Sequence, residues 1–372
     1  MKLSFAQLGA LLASYVDENK ISVASFSVTR DNLVGLVDKI GRIFTFDTSY
    51  VDKLAEFEGD ELAYGKTLEE WQQDLMLPEA YDSTGAGALS PHYPTYRPVD
   101  YSYTLGRKIV PTTIKNNDIE RAVNNESEFT SIATMQTKRL YDSVAVWRYG
   151  VKRQMLAVLI SLCDKVKTSA TAYATNKSFS VGDYISGGSP TAYGVVVKAI
   201  TASESATNTW AKCLSAGYVI LLDLVTEIAL PVDSSTGEAF VKQLKKDVEI
   251  ASDISEGHSL NGNTLGASEG LVLFVKQGVI PAIEVDVIAG AFHEDKVAMP
   301  AEVKVIKDFG NDNTGVFAIL MDKRGMRLHN SYRAVRENLN GDGDFLNLFY
   351  HSEDTAHLSR NTFVKIYRPS QA

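Results

Sequence analysis

From Gly59 to Thr67 the chain reads GDELAYGKT, which has the residue types of a phosphate-binding loop: paired glycines, a lysine and a hydroxyl side chain. Such a loop cradles a phosphate with consecutive backbone amides, and needs four residues between its first glycine and its Gly-Lys-Ser/Thr end. Here five intervene, Asp60 and Glu61 would face a polyanion, and no apolar strand leads in. Spacing and sign both argue against nucleotide binding. The ordinary reading is Gly65 as a turn and Thr67 as an N-cap, with Glu70 closing a capping box on a short helix from Leu68 to Leu75. Asn338, Asn340, Asp342 and Gly343 resemble the first half of a calcium loop, but the twelfth position, where a bidentate Glu belongs, is Phe349. A polar turn between strands is expected there instead. The six histidines, His92, His258, His293, His329, His351 and His357, form no HExxH and no metal pair at helical spacing. His351 and His357 are read as bracketing a Ser-Glu-Asp turn. There is no GxSxG, no GxGxxG after a strand and no Cys-His protease pattern. No enzyme class is left standing, and no catalytic residue, cofactor or metal ligand is expected.

The false phosphate loop lies in the most acidic part of the chain. Residues 52–82 hold ten acids (Asp52, Glu56, Glu58, Asp60, Glu61, Glu69, Glu70, Asp74, Glu79, Asp82) against Lys53 and Lys66, a local −8 of the whole chain's −9. With 372 residues, 45% of them hydrophobic, the chain can bury one large or two to three ordinary domains. A pI near 5.3 argues against the basic surface that tight nucleic-acid binding requires. The longest apolar run, Val219 to Leu224, is far short of a membrane span of roughly 20 residues, and no basic-then-apolar leader opens the chain, so a cytosolic setting is expected. Cys163 and Cys213 are too few and too far apart for a disulfide framework or a zinc knuckle, and read as buried free thiols.

The elements that would position these residues follow from pattern. Residues 1–45 carry short apolar runs without enough for a core, and read as an arm that packs on another surface. Residues 46–111 hold Pro78, Pro91, Pro94, Pro98 and Pro111 and many tyrosines, which favours extended strands and a two-stranded excursion. From Asn117 the period becomes helical, with cap-like Asn117-x-x-Glu120 and Asn125-x-x-Glu128. Phe129, Ile132, Met135, Leu140, Val144, Trp147, Val151, Met155, Val158, Leu159 and Leu162 then recur at spacings of mostly three and four, predicting one helix from about Ser127 to Lys167, roughly 60 Å long. From Met135 to Lys167 the bases Lys138, Arg139, Arg148, Lys152, Arg153, Lys165 and Lys167 outnumber Asp142 and Asp164, a net +5. Short strands around a Gly-Gly turn are expected next, a mostly apolar helix from Lys212 to Ile228, and an amphipathic run from Gly237 to Glu249. A polar loop from Ser255 to Ser268 leads to strands at 270–275, 285–290, 301–306, 316–322, 344–350 and 362–367. The class is α+β.

This order of parts resembles the major capsid proteins of tailed bacteriophages, of the Johnson or Hong Kong 97 fold, and within them those of short-tailed phages. The likeness rests on Tyr64 through Trp71 (YGKTLEEW) in the extended loop, on Ile319 through His329 (ILMDKRGMRLH), on Leu346 through His351 (LNLFYH) and on Asn361 through Tyr367 (NTFVKIY). The resemblance implies an N-terminal arm over 1–45, an extended loop over 46–116, a peripheral domain with the spine helix over 117–210 and 331–372, and an axial domain over 211–330. It implies self-assembly as pentamers and hexamers into an icosahedral shell around double-stranded DNA that is enclosed without specific binding. A portal, a separate scaffolding protein, assembly in the bacterial host cytoplasm and a final place in the virion are expected with it, and no membrane. The charge pattern then predicts a subunit interface in which Glu58, Asp60, Glu61, Glu69, Glu70 and Trp71 of one copy meet Lys138, Arg139, Arg148, Lys152 and Arg153 of its neighbour. Complementary charge there sets register, while tyrosines and Trp71 supply buried area. The rivals are an encapsulin-type shell that recruits a cargo enzyme, a P-loop enzyme that nucleotide would protect against heat, and a tail or adhesin subunit, which the long helix disfavours.

Overall fold

The structure is a computed structural model, and it describes residues 50–62, 68–73, 81, 83–85, 96–115, 126–267, 269–279, 301–312 and 314–370. The arm over 1–45, the Gly65 turn with the Thr67 cap, the two Asn caps and the strand at 285–290 lie outside these residues. In chain order the described elements are β1 (Glu69–Gln73), β2 (Tyr96–Asp100), β3 (Ser102–Thr104), β4 (Lys108–Lys115), α1 (Glu126–Thr168), β5 (Thr171–Ala172), β6 (Tyr184–Gly187), β7 (Ala192–Val196), α2 (Ala202–Thr207) and α3 (Trp210–Ser215). After them come β8 (Val219–Leu221), β9 (Val225–Ile228), α4 (Ser234–Ser252), β10 (Ser255–Ser259), β11 (Gly262–Thr264), β12 (Leu271–Lys276), β13 (Glu302–Ile306), β14 (Ala318–Asp322), β15 (Met326–Asn340), β16 (Phe345–Leu358) and β17 (Val364–Pro369). The fold is α+β. Among the described residues no helix is long and apolar enough to cross a membrane.

The chain divides into two compact units. The first takes the described parts of 1–65, 104–152 and 328–355. In it β4 runs antiparallel to β16, from Lys115 opposite Phe345 to Lys108 opposite Ser352. Alternation along β16 turns Leu346, Leu348 and Tyr350 inward. Leu140 and Val144, four apart on α1, cluster with Tyr350, whose ring meets Tyr141 edge-on at 5.7 Å. Between β15 and β16 the Asn340 carboxamide oxygen accepts from the amides of Asp342 and Gly343, so the calcium-like spacing is an Asx turn.

The second unit takes the described parts of 66–103, 153–327 and 356–372. Its main sheet has the order β13-β12-β14-β17-β9. Val272, Leu273, Phe274 and Val275 are all fully buried, the continuous apolar run of a central strand covered on both faces. Asp233 caps α4 by accepting from the Thr236 amide, and the helix lays Phe240, Val241 and Leu244 among Leu273, Val275, Phe317, Leu320 and Tyr367. A smaller sheet, β5-β6-β7-β8, has its own core of Phe179, Ile185, Val196, Ile200, Cys213 and Val219. Both cysteines are buried and free.

Several expectations change. The helix expected over Lys212–Ile228 stops after Ser215, because Gly217 at φ +67° takes the left-handed position past its end. The β-branched residues beyond it pair instead, β8 with β7 and β9 with β17. Within the span Leu68–Leu75 expected to be a helix, Glu69–Gln73 is a strand that pairs in register with Tyr96–Asp100. The Ser255–Ser268 loop contains the hairpin β10-β11, closed by a buried Ser255–Thr264 hydroxyl pair at 2.6 Å. Ser352, Glu353 and Asp354 form no turn; they are buried in β16 between His351 and His357. The strand β17 is hydrogen-bonded to both β14 and β9.

Candidate functional site

The acidic stretch and the basic helix do meet, within one chain. In the first unit Lys152 on α1 is fully buried, and its Nζ donates to Asp52 Oδ2 at 2.6 Å and to Glu58 Oε1 at 2.8 Å. One turn earlier, Arg148 Nη1 donates to Glu58 Oε2 at 2.9 Å, and its Nη2 lies 3.5 Å from Asp354 Oδ1. Helical spacing puts 148 and 152 on one face, so a single glutamate bridges both cations. Asp354 is itself fully buried and is held by Asn330 Nδ2 at 2.9 Å and Ser352 Oγ at 3.1 Å. Asp52 Oδ1 accepts from the Leu54 amide, and this turn delivers Leu54 and Phe57, both fully buried. Two cations and three carboxylates thus share one network, buried at Lys152, Arg148 and Asp354 and open to solvent at Glu58, and loss of a carboxylate partner would leave Lys152 a buried charge with less to answer it.

Beyond Glu58 the segment continues along β15. Gly59 N donates to Leu328 O at 3.0 Å and Leu62 N to Asn330 O at 2.8 Å, while His329 Nδ1 lies 2.9 Å from Asp60 O. Gly59 is required by this close approach: a Cβ there would stand 2.1 Å from Cε1 of the His329 ring. The glycine that suggested a phosphate loop makes room for a histidine.

In the second unit Glu70 is tied down in a separate cluster. Its Oε2 accepts from Ser359 Oγ at 3.0 Å and Asn361 Nδ2 at 2.8 Å, and Asn361 Oδ1 in turn accepts from Asn261 Nδ2 at 2.7 Å. His357 Nε2 lies 3.2 Å from Glu70 Oε1, outside hydrogen-bond alignment. Burial works against the charged form of Glu70, but His357, Ser359 and Asn361 outweigh it and hold the carboxyl below its ordinary value. Arg153 pairs with Asp308 at 3.0 Å in this same unit.

The structure therefore brings Glu58, Arg148 and Lys152 together in one place, and gives Glu70 and Arg153 partners of their own elsewhere. Asp60, Glu61, Glu69 and Arg139 are exposed, and Lys138 is half-buried. Trp71 pairs through its backbone with Pro98. Sequence reasoning gave no charge-pairing role to Asp354, Asn330, Ser359 or Asn361, which are ordinary polar residues of strands and turns with no spacing signal. Burial, with Asp164 beside it, pushes the Cys163 thiol well above its ordinary value, so it is unreactive. Among the described residues no group of His, Cys, Asp and Glu is placed to hold a metal ion. What these clusters can do is fix backbone segments.

Comparison with known proteins agrees with a structural role. The model of one family, described as Phi29-like phage major capsid protein, matches residues 7–212 and 235–364. The major capsid protein of Bacillus phage PZA is 22% identical over 340 residues, covering 90% of this chain and 62% of the relative. That of Bacillus phage B103 is 21% identical over 336 residues, with the same coverage. The chain thus spans 62% of the length of these relatives. Among solved structures, the capsid of Staphylococcus phage Andhra superposes with a TM-score of 0.56 at 11% identity, covering 87% of this chain and 86% of that one. A chain from bacteriophage P68, in a structure titled for its head fiber and inner core protein, gives a TM-score of 0.52 at 11% identity with the same coverage. These structural likenesses show the fold, which is of the Hong Kong 97-like phage capsid type.

Proposed function

This chain belongs to the Phi29-like phage major capsid protein family, and from that membership we propose that copies of it self-assemble as pentamers and hexamers into the icosahedral head shell of a tailed phage. The observation that carries the proposal is the family match, which spans both compact units, on a capsid fold. The shell would enclose double-stranded DNA without binding it specifically. A net charge of −9 suits a wall that must not hold its genome down. A portal and a separate scaffolding protein would be its partners, assembly would take place in the host cytoplasm, and the product would reside in the virion. In this reading residues 1–45 form the arm, 46–116 the extended loop, 117–210 with 331–372 the peripheral domain and 211–330 the axial domain, with β17 lent to the axial sheet.

Contacts between copies would draw on the charges left at the surface. Asp60, Glu61 and Glu69 of one subunit are exposed, as is Arg139 on α1, with Lys138 beside it. Each exposed pair contributes only about 0.2 to 1 kcal/mol, so strength must come from many contacts repeated by symmetry, with Trp71 and the tyrosines adding area. Glu58, Glu70, Arg148, Lys152 and Arg153 enter this interface only in so far as they can serve a neighbour while keeping their partners in the same chain.

Negative-stain microscopy of the purified protein, alone and with a crowding agent, tests the proposal. Closed shells or rings of five and six subunits are expected. A protein that stays monomeric under both conditions, and is stabilised against heat by nucleotide, would overturn it.

A further inference from the structure

We infer that Lys152 is the hub of an intrachain ionic latch, which seats residues 52–62 on α1 and β15 in the single subunit before any neighbour is present. Four observations within the first unit carry this. The Lys152 side chain has no solvent exposure, and its Nζ binds carboxylates on both sides of the 3-10 turn at Ala55–Phe57, at 2.6 and 2.8 Å. Glu58 is held by a second cation one helical turn away, so its carboxylate is fixed at both oxygens. Between the two carboxylates, Leu54 and Phe57 are fully buried. Past Glu58 the backbone is hydrogen-bonded to β15 at Gly59 and Leu62.

The division of labour follows from physics. Apolar contacts from Leu54 and Phe57 attract the segment but tolerate sliding, because the hydrophobic effect has no direction. A buried cation with two carboxylate partners tolerates none, since any other register leaves a charge unpaired. The latch therefore sets the place from which the rest of the acidic stretch departs, with Asp52, Glu58, Arg148 and Lys152 all supplied by one chain. It rests on the fold alone and stands whether or not the chain forms shells.

Hydrogen exchange on the unassembled full-length chain tests it, read at the amides of Leu54, Phe57, Gly59 and Leu62. In the native chain these amides are expected to exchange at least about ten-fold more slowly than unprotected peptide. The triple variant Asp52→Asn, Glu58→Gln, Lys152→Met keeps the volumes and removes the charges together. It is expected to lose at least about ten-fold of that protection, while amides of Leu156 to Ile160 on α1 keep theirs. Unprotected amides in the native unassembled chain would show that the seat forms only on assembly. Protection in the triple variant within about three-fold of native would show that Leu54 and Phe57 hold the segment without the ions. Either result overturns the latch. Global loss of protection in the triple variant would be resolved by the single Glu58→Gln change, for which a local loss at Gly59 and Leu62 is expected and an unchanged profile again overturns it.

Discussion

Lys152 and Asp52, a hundred residues apart in sequence, are joined by a 2.6 Å ion pair with the lysine wholly out of contact with solvent. The pair shows how the charge asymmetry of this chain is spent. Part of the acidic stretch neutralises the long helix from within the same molecule.

Truncating Lys152 to Ala is expected to destabilise the subunit by about 3 to 5 kcal/mol, because Asp52 then loses its cation and Glu58 keeps only Arg148. Lys152→Met combined with Asp52→Asn and Glu58→Gln is expected to cost much less. Urea unfolding followed by circular dichroism measures both, and equal losses would show that the cost is packing rather than charge.

Gly59→Ala is expected to cost about 1 to 3 kcal/mol, since the new methyl would drive the His329 ring off its position and away from Asp60 O. Adding His329→Ala to Gly59→Ala is expected to restore part of the loss. A double-mutant cycle reads the coupling, and additive effects would remove the steric explanation.

Two partly buried groups contribute to the pH dependence of the second unit in separate windows. His258 is pressed below its ordinary 6.5 by burial and then by Lys365, against the opposing pull of Asp223. Its contribution is full above the unfolded value and is lost as pH falls from about 6.5 through the folded value. Glu70, held below its ordinary 4.5, behaves with the same sign in a lower window. His258→Gln is expected to flatten stability between pH 6.5 and the folded value, while Glu70→Gln flattens only the limb below 4.5. Thermal midpoints across pH check this, and an unchanged limb in either variant refutes its assignment.

Reversing charge at the surface separates assembly from folding. Glu69→Lys is expected to leave the thermal midpoint within a few degrees and to lower the yield of assembled particles, with Arg139→Glu restoring it in part. Glu70→Lys is expected to damage the subunit itself, because that carboxylate serves Ser359 and Asn361. Melting curves beside sedimentation profiles give both readouts. Normal particles from Glu69→Lys would remove charge from the assembly contact.

The sequence alone determined the elements whose signal is local and repetitive. Leu140 through Leu162 keep one helical period without Gly or Pro apart from Gly150, and α1 follows from that pattern as Glu126–Thr168. The strands read at 270–275, 301–306, 316–322 and 362–367 fall on β12, β13, β14 and β17 within one to two residues. It also fixed the −8 and +5 blocks and, through spacing, the failure of the phosphate loop. It misread Glu69–Gln73 and Lys212–Ile228, where local propensity yields to pairing with Tyr96–Asp100, β7 and β17. The partners of the charges were decided only by the tertiary structure. Composition gives the sign of Glu58, Glu70 and Lys152, but Coulomb attraction is blind to which molecule supplies the opposite charge. Burial made the choice: Leu54 and Phe57 carry Asp52 and Glu58 to the helix, and once Lys152 is out of water it has to be answered from within reach, by the chain that buried it.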